Sequence, residues 1–273
     1  MLNIDINNIS MIYETKDSKV NALHNINLEI NSGEFVSIIG PSGCGKSTLI
    51  NIIAGIIKPT KGFIKVGDRK VENPNSDISV VFQDYSLFPW MTAYDNLHFA
   101  IKNTNKNLTE KEIKEKALKH LEIIGLSKFS NSFPKELSGG MTQKLAISRM
   151  FALDSKIFLL DEPFGALDAL NRIHMQDLLI YLWRSGNNNQ TILYITHDVD
   201  ESIFLSDRIV VMTPSPGKIK EIIEIPFKRP RNRKELTGSK EYLSLRNHIL
   251  SLLTEDMKVS LNKQEEQMRK YYD

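Results

Sequence analysis

An α/β fold built on a buried parallel sheet is predicted by three observations. Short apolar runs without polar alternation recur at Phe35 to Ile39, Ile78 to Phe82, Ile157 to Leu160 and Ile192 to Ile195, as expected of strands covered on both faces. Helical patterning separates several of these runs, the order that gives a sheet flanked by helices. The first run ends in glycine and passes at once into a helical pattern carried by Leu49, Ile52, Ile53 and Ile56, so strand, glycine-rich turn and helix meet at Gly40 to Ser47.

In chain order, alternation in Leu2-Asn3-Ile4-Asp5-Ile6 and from Leu23 to Ile30 predicts half-buried strands ahead of that turn. The stretch from about Leu87 to Leu153 is dominated by helical patterning and reads as a helical lobe inserted between two sheet strands. Asn103 to Asn107 is its polar break. Thr109 and Glu112 then form a capping box, with Ile113, Ala117, Leu121 and Ile124 as the buried stripe and Gly125 as the stop. Ile209 to Met212 adds a further strand. From Pro226 the chain turns basic and proline-punctuated through Lys234, which suits an exposed linker, solvated or touching anionic lipid headgroups through Arg229, Arg231 and Arg233. Tyr242, Leu245, Ile249 and Leu252 recur at helical spacing, and Lys263 to Asp273 is highly polar.

Composition bounds the function. With 273 residues, 41% hydrophobic and 25% charged, the chain matches ordinary globular proteins. A net charge of +2 argues against a dedicated nucleic-acid binder. The single cysteine, Cys44, forms no intrachain disulfide and no thiolate cluster, which favours a reducing compartment. No charged stretch followed by an apolar core opens the chain, and no apolar run reaches the roughly 18 residues that a spanning helix needs.

Gly40-Pro41-Ser42-Gly43-Cys44-Gly45-Lys46-Ser47 fits the P-loop pattern in the strand-to-helix setting it requires. Glycines let the backbone aim several N–H groups at one anion, and the following helix adds its positive end. Lys46 supplies a mobile charge for the outer phosphates, and the Ser47 hydroxyl can ligate Mg²⁺. The apolar strand ending in Asp161-Glu162-Pro163 supplies the other half: Asp161 to hold Mg²⁺ and Glu162 to polarise a water for in-line attack. His197 ends another strand, where it is either structural or a hydrogen-bonding partner of the γ-phosphate. Cys44 is either a small side chain that fits the loop or an oxidation-sensitive thiol.

Leu137-Ser138-Gly139-Gly140-Met141, followed by Gln143 and set about twenty residues before the Asp161 strand, opens a second helix N-terminus. It resembles the signature motif of the ABC ATPases. Met1 to about Ile225 resembles that family in motif order, which implies a RecA-like P-loop NTPase core with an N-terminal antiparallel β subdomain and a helical subdomain at about 87–153. Residues 226–273 would follow as a basic linker and helical extension. The resemblance implies ATP and Mg²⁺ as cofactors. Tyr13 would stack on adenine, and Gly40 to Thr48 would hold the phosphates. Gln83 would contact Mg²⁺ and sense the γ-phosphate, Asp168 would sit in the D-loop, and His197 would be the switch histidine. Thr142 and Lys144 depart from the arginines frequent in related signature helices.

What the family further implies is a head-to-tail homodimer, with ATP between Lys46 of one copy and Ser138 to Gly140 of the other. Glu162 would be the general base. A narrower resemblance, carried by Phe82 to Thr92, Asp161 to Leu170 and Pro226 to Arg233, is to the nitrate, sulfonate and taurine class of importer ATPases. That class works peripherally at the cytoplasmic face of the membrane, with permease subunits and an extracytoplasmic solute-binding protein. Phe88 and Trp90 would then line the groove for a permease helix, or else belong to the core of the helical lobe. Two alternatives stay open: a soluble ABC ATPase acting on a macromolecular partner, and an importer of a thiamine-precursor-like solute.

Overall fold

The computed structural model describes residues 2–14, 18–81, 87–104, 107–153, 155–165, 167–185 and 190–255. Two sheets carry the fold. The first is antiparallel, with order β2-β1-β4-β5: β1 (Ile4–Glu14), β2 (Lys19–Ile30), β4 (Lys61–Val66) and β5 (Arg69–Lys70). The second has order β10-β9-β3-β8-β7-β6, with β3 (Phe35–Ile39), β6 (Ile78–Val81), β7 (Ile157–Asp161), β8 (Thr191–Ile195), β9 (Arg208–Met212) and β10 (Ile219–Glu224). β6, β7, β8, β3 and β9 run parallel, and β10 closes the edge antiparallel to β9. Every residue of β3 and β8 is buried, as the unbroken apolar runs require.

Seven helices named here and one further helical stretch cover these sheets: α1 (Lys46–Ile53), α2 (Ala93–Thr104), α3 (Glu110–Ile123), α4 (Gly139–Ala152), α5 (Ala169–Ser185), α6 (Val199–Leu205), α7 (Arg233–Thr237) and residues 240–255, here α8. One apolar cluster fills the space between the two sheets and α1. A second packs the opposite face of the parallel sheet under α4, α5, α6 and the C-terminal segment. The inserted lobe has its own core, to which Ala93, Leu97, Ile113, Leu121 and Leu145 contribute. Its capping box is formed: Thr109 N–H donates to Glu112 Oε2 at 2.7 Å and Glu112 N–H to Thr109 Oγ1 at 3.3 Å.

Three expectations need correction. Ile56 does not extend the buried face of α1, which ends at Ile53. Gly55 takes φ +73°, where a Cβ would stand 2.6 Å from the Asn73 carbonyl group, so the chain turns away and leaves Ile56 exposed. The polar break after α2 begins later than Asn103, since the helix runs through Thr104. The arginines after Pro226 are also not free in solvent. Arg231 Nη1 donates to the carbonyls of Ile203 and Phe204 at 2.9 and 2.8 Å. Arg229 donates to the Leu205 carbonyl and, at 2.9 Å, to Asp207. These carbonyls end α6 and have no partner inside it, and the negative end of the helix favours cations. Burial pulls Arg231 down to about 10, which leaves it charged at neutral pH. Tyr242 and Ile249 on α8 are buried as their spacing predicts. The polar stretch Lys263 to Asp273 lies outside the described residues.

Candidate nucleotide site

The P-loop lies between the C-terminal end of β3 and α1, and its shape depends on close approaches that only glycine allows. Gly43 and Gly45 take φ +76° and +98°. A Cβ on Gly45 would stand 2.6 Å from Leu23 Cδ2, and one on Gly40 would stand 2.9 Å from Cys44 Sγ. α1 has no side-chain cap and no acidic residue in its first turn, so its first N–H groups and its positive end remain available to an anion. Lys46 is buried and folds back on the loop, donating to the Gly40 and Pro41 carbonyls at 2.8 and 3.0 Å. A phosphate would offer it a charged acceptor in place of two neutral ones. Cys44 is fully buried, and burial pushes its thiol pKa up more than Lys46 pulls it down. That favours the reading of a small side chain that fits.

Asp161 ends β7 beside the P-loop. Burial raises its carboxyl pKa, with Glu162 adding to the effect, while the Ser47 hydroxyl and Lys46 oppose it. A half-buried carboxylate facing a hydroxyl and an ammonium gains from a hard cation, so the oxygen donors present fit Mg²⁺. Glu162 follows with φ +46°, an uncommon conformation for a non-glycine residue. Its N–H bonds the Ile195 carbonyl at 3.1 Å, tying β7 to the end of β8. His197, just beyond β8, brings Nδ1 to 3.5 Å from Glu162 Oε2. Tyr13, on β1, reaches across to α1, its hydroxyl 3.3 Å from Thr48 Oγ1.

The Ser138-Gly139-Gly140 motif opens α4. Ser138 is its N-cap, its hydroxyl accepting from Met141 N–H at 3.3 Å. Among the described residues nothing beyond their own helix and chain neighbours lies within 4 Å of a Cβ built on Gly139 or Gly140. Lys144, Asn171 and His174 border the cleft beside this N-terminus. Asp168 caps α5: its Oδ1 accepts from Leu170 and Asn171 N–H at 3.1 Å each, and the Asn171 bonds lower its pKa. Gln83, and Ala166 beside Asp168, lie outside the described residues, as does Phe82 to Ser86 of the run that suggested the importer class.

Two structural contributions were not legible in the motifs. Gly217 backs the P-loop so closely that a Cβ there would stand 1.9 Å from the Cys44 carbonyl oxygen, and its own N–H and C=O bond β2 at Ala22 and His24. The only sequence signal is its place after two prolines, Pro214 and Pro216. Gln143, noted as part of the signature, is fully buried and donates its amide to the Pro163 carbonyl. It thereby joins α4 to the residue after Glu162.

Comparison with known proteins agrees with this geometry. A model described as ABC transporter matches residues 23–165. The bicarbonate transport ATP-binding protein CmpD of Synechocystis sp. is 42% identical over 92% of this chain and 88% of its own. The nitrate import ATP-binding protein NrtD of Synechococcus elongatus is 42% identical over 85% of this chain and 84% of its own. Among solved structures, the dimeric post-hydrolysis state of the ATP-binding cassette MJ0796 bound to ADP and Pi matches with TM-score 0.71 and 32% identity, covering 82% of this chain and all of that one.

Proposed function

The chain belongs to the ABC transporter ATP-binding family, and from that premise we propose that it is the ATP-hydrolysing motor of an importer for a small oxyanion. Two copies pair head to tail at the cytoplasmic face of the membrane beneath separate permease subunits, and an extracytoplasmic binding protein delivers the cargo. The oxyanion reading is supported by relatives named for bicarbonate and nitrate, both small planar monoanions. None of the helices in the described residues is long and apolar enough to cross a membrane. A separate permease is supported by an exposed aromatic cluster on the helical lobe. Trp90, 69% exposed, leans on Phe88 at 5.6 Å between ring centroids. Phe88 in turn meets Phe99 edge-on and Arg149 face-on. An exposed aromatic such as Trp90 fits a partner surface, against the reading that buries it in the lobe, whereas Phe88 is half-buried.

In the proposed reaction Lys46 leaves the loop carbonyls for the outer phosphates of ATP. Ser47, Asp161 and Gln83 would hold Mg²⁺, which when bound would neutralise phosphate charge. Glu162 takes the proton of the attacking water. His197, beside that carboxylate, donates to the oxygens on which charge develops. Tyr13 stacks on the adenine. Ser138, Gly139 and Gly140 of the second copy close over the γ-phosphate, and the exposed α4 N-terminus supports that arrangement. Loss of phosphate removes what joins the two copies, and the dimer reopens.

The 3.5 Å approach of His197 to Glu162 carries this reading. Its test is Mg²⁺-dependent ATP hydrolysis by the purified chain and by Glu162→Gln, with dimerisation followed by size-exclusion chromatography in ATP. Removing the base is expected to slow hydrolysis by about 10²–10⁴-fold and to trap an ATP-bound dimer. A Glu162→Gln chain that turns over ATP at the wild-type rate would remove Glu162 from the mechanism.

A further inference from the structure

We propose that Arg172 is a positioning residue for hydrolysis, a rigid tie that sets the switch histidine by the state of the exposed turn before α5. The proposal rests on the reading of Glu162 and His197 as the hydrolytic pair.

Arg172 lies one turn into α5 and its N–H bonds the Asp168 carbonyl at 2.9 Å. Its guanidinium forks. Nη2 returns to the Leu167 carbonyl at 3.0 Å, and Nη1 reaches across to Asp198 Oδ2, just before α6, at 3.3 Å. Asp198 directly follows His197 and caps α6, its Oδ1 accepting from Glu201 N–H at 3.0 Å. One planar group therefore joins the turn at Leu167 to the residue beside the histidine. A lysine, with its single point of charge, cannot make both bonds in this fixed geometry.

A second rung lies one helical turn further on. Gln176 donates to Glu201 Oε1 at 2.8 Å. Thr196 donates to Glu201 Oε2 at 2.5 Å and accepts from Asp198 N–H at 3.0 Å. Both neighbours of His197 are thus fixed from α5, and burial raises the Glu201 pKa at the root of the rung. The rungs differ in where they lead. Gln176 and Glu201 are buried and reach nothing at the surface. Of these two rungs, Arg172 is the one that ties the histidine to a turn whose neighbours Leu170 and Ile173 are large apolar residues left 66% and 39% exposed. Among the described residues Arg172 bonds neither the P-loop nor Tyr13, so it bears on the placement of His197 and not on nucleotide capture.

The test compares the full-length chain with Arg172→Ala and Arg172→Lys, measuring kcat, KM for ATP, direct ATP affinity and thermal midpoint. Displacing a reacting group by about an ångström costs up to 10²-fold in rate. Arg172→Ala is expected to lower kcat by between about ten- and a hundredfold, with ATP affinity unchanged within about twofold. Arg172→Lys should recover only part of that loss. The double variant Arg172→Ala/Asp198→Asn should be no slower than the slower single variant, because the bond removed is shared. Wild-type kcat in Arg172→Ala would overturn the proposal, as would a fall in kcat matched by equal loss of ATP affinity. If Arg172→Ala does not fold, Arg172→Lys decides: a folded chain with full kcat overturns the tie. Failure of the hydrolytic reading itself shows separately, as Glu162→Gln turning over ATP normally.

Discussion

Two helices of this molecule, α1 and α4, begin at glycine-rich segments, the glycines preceding α1 and forming the first residues of α4, and their beginnings are built in opposite ways. At α1 the glycines are demanded from within: a Cβ on Gly40 or Gly45 would collide with Cys44, Met212, Leu23 or Ala22. At α4 nothing in the described chain crowds Gly139 or Gly140, and both sit in ordinary helical backbone, where glycine is the poorer choice by about 0.5–1 kcal/mol relative to alanine. The first turn is shaped by its own fold. The second gives up stability to leave room for something outside the chain.

The sharpest break of this contrast is Gly140→Ala. It should leave the chain folded and raise its unfolding free energy by up to about 1 kcal/mol, while cutting ATP hydrolysis by about 10²-fold or more through lost contact with the partner's phosphate. Calorimetry and a phosphate-release assay read the two quantities separately, and an active, stabilised Gly140→Ala would mean that the α4 turn serves no ligand. Gly217→Ala should do the reverse. Its Cβ would fall 1.9 Å from the Cys44 carbonyl oxygen, so the backbone must move, with an expected loss of about 3 kcal/mol in urea unfolding and weakened ATP binding in proportion.

Acid should separate the two regions next. His120 on α3 bonds Ser148 on α4 at 3.0 Å, and burial, aided by Lys116 and Lys119, lowers its pKa from 6.5 to about 4. A base whose folded pKa is depressed supports the fold fully above its unfolded pKa and loses that support as pH falls from 6.5 toward 4. The expected loss is on the order of 3 kcal/mol, levelling off below pH 4. Hydrogen exchange should report loosening of α3 and α4 ahead of β3 and α1, and His120→Asn should abolish the difference. On stability Ser138→Ala is also a small change, about 1 kcal/mol from the lost bond to Met141 N–H, seen as a lower thermal midpoint; an unchanged midpoint would show that the cap contributes nothing to α4.

The same contrast explains what the sequence could tell. The strands of the parallel sheet were legible because burial on both faces leaves a continuous apolar run, and β3 matches the run from Phe35 to Ile39 residue for residue. β4 and β10 were not, since Lys61 to Val66 and Ile219 to Glu224 place charges between their few buried residues and become strands by pairing with β1 and β9. At the site, chemistry carried by local runs could be read: the P-loop, Asp161 with Glu162, and Ser138 to Gly140. Arg172 and Gly217 could not, because each acts on a residue far along the chain, at Asp198 and Cys44. A lone arginine or glycine carries no mark of such a partner.

The capping of α6 by Arg229 and Arg231 has a consequence in time. A ribosome releases this chain from its amino end, and domains fold as they emerge. The P-loop, Asp161 and His197 all appear before the two arginines, so every residue proposed to bind or hydrolyse ATP is translated while the last carbonyls of α6 still lack their cations. α6 reaches its final hydrogen bonding only when the segment after Pro226 arrives. A nascent chain truncated before Arg229 would carry the full set of nucleotide motifs with the last carbonyls of α6 uncapped.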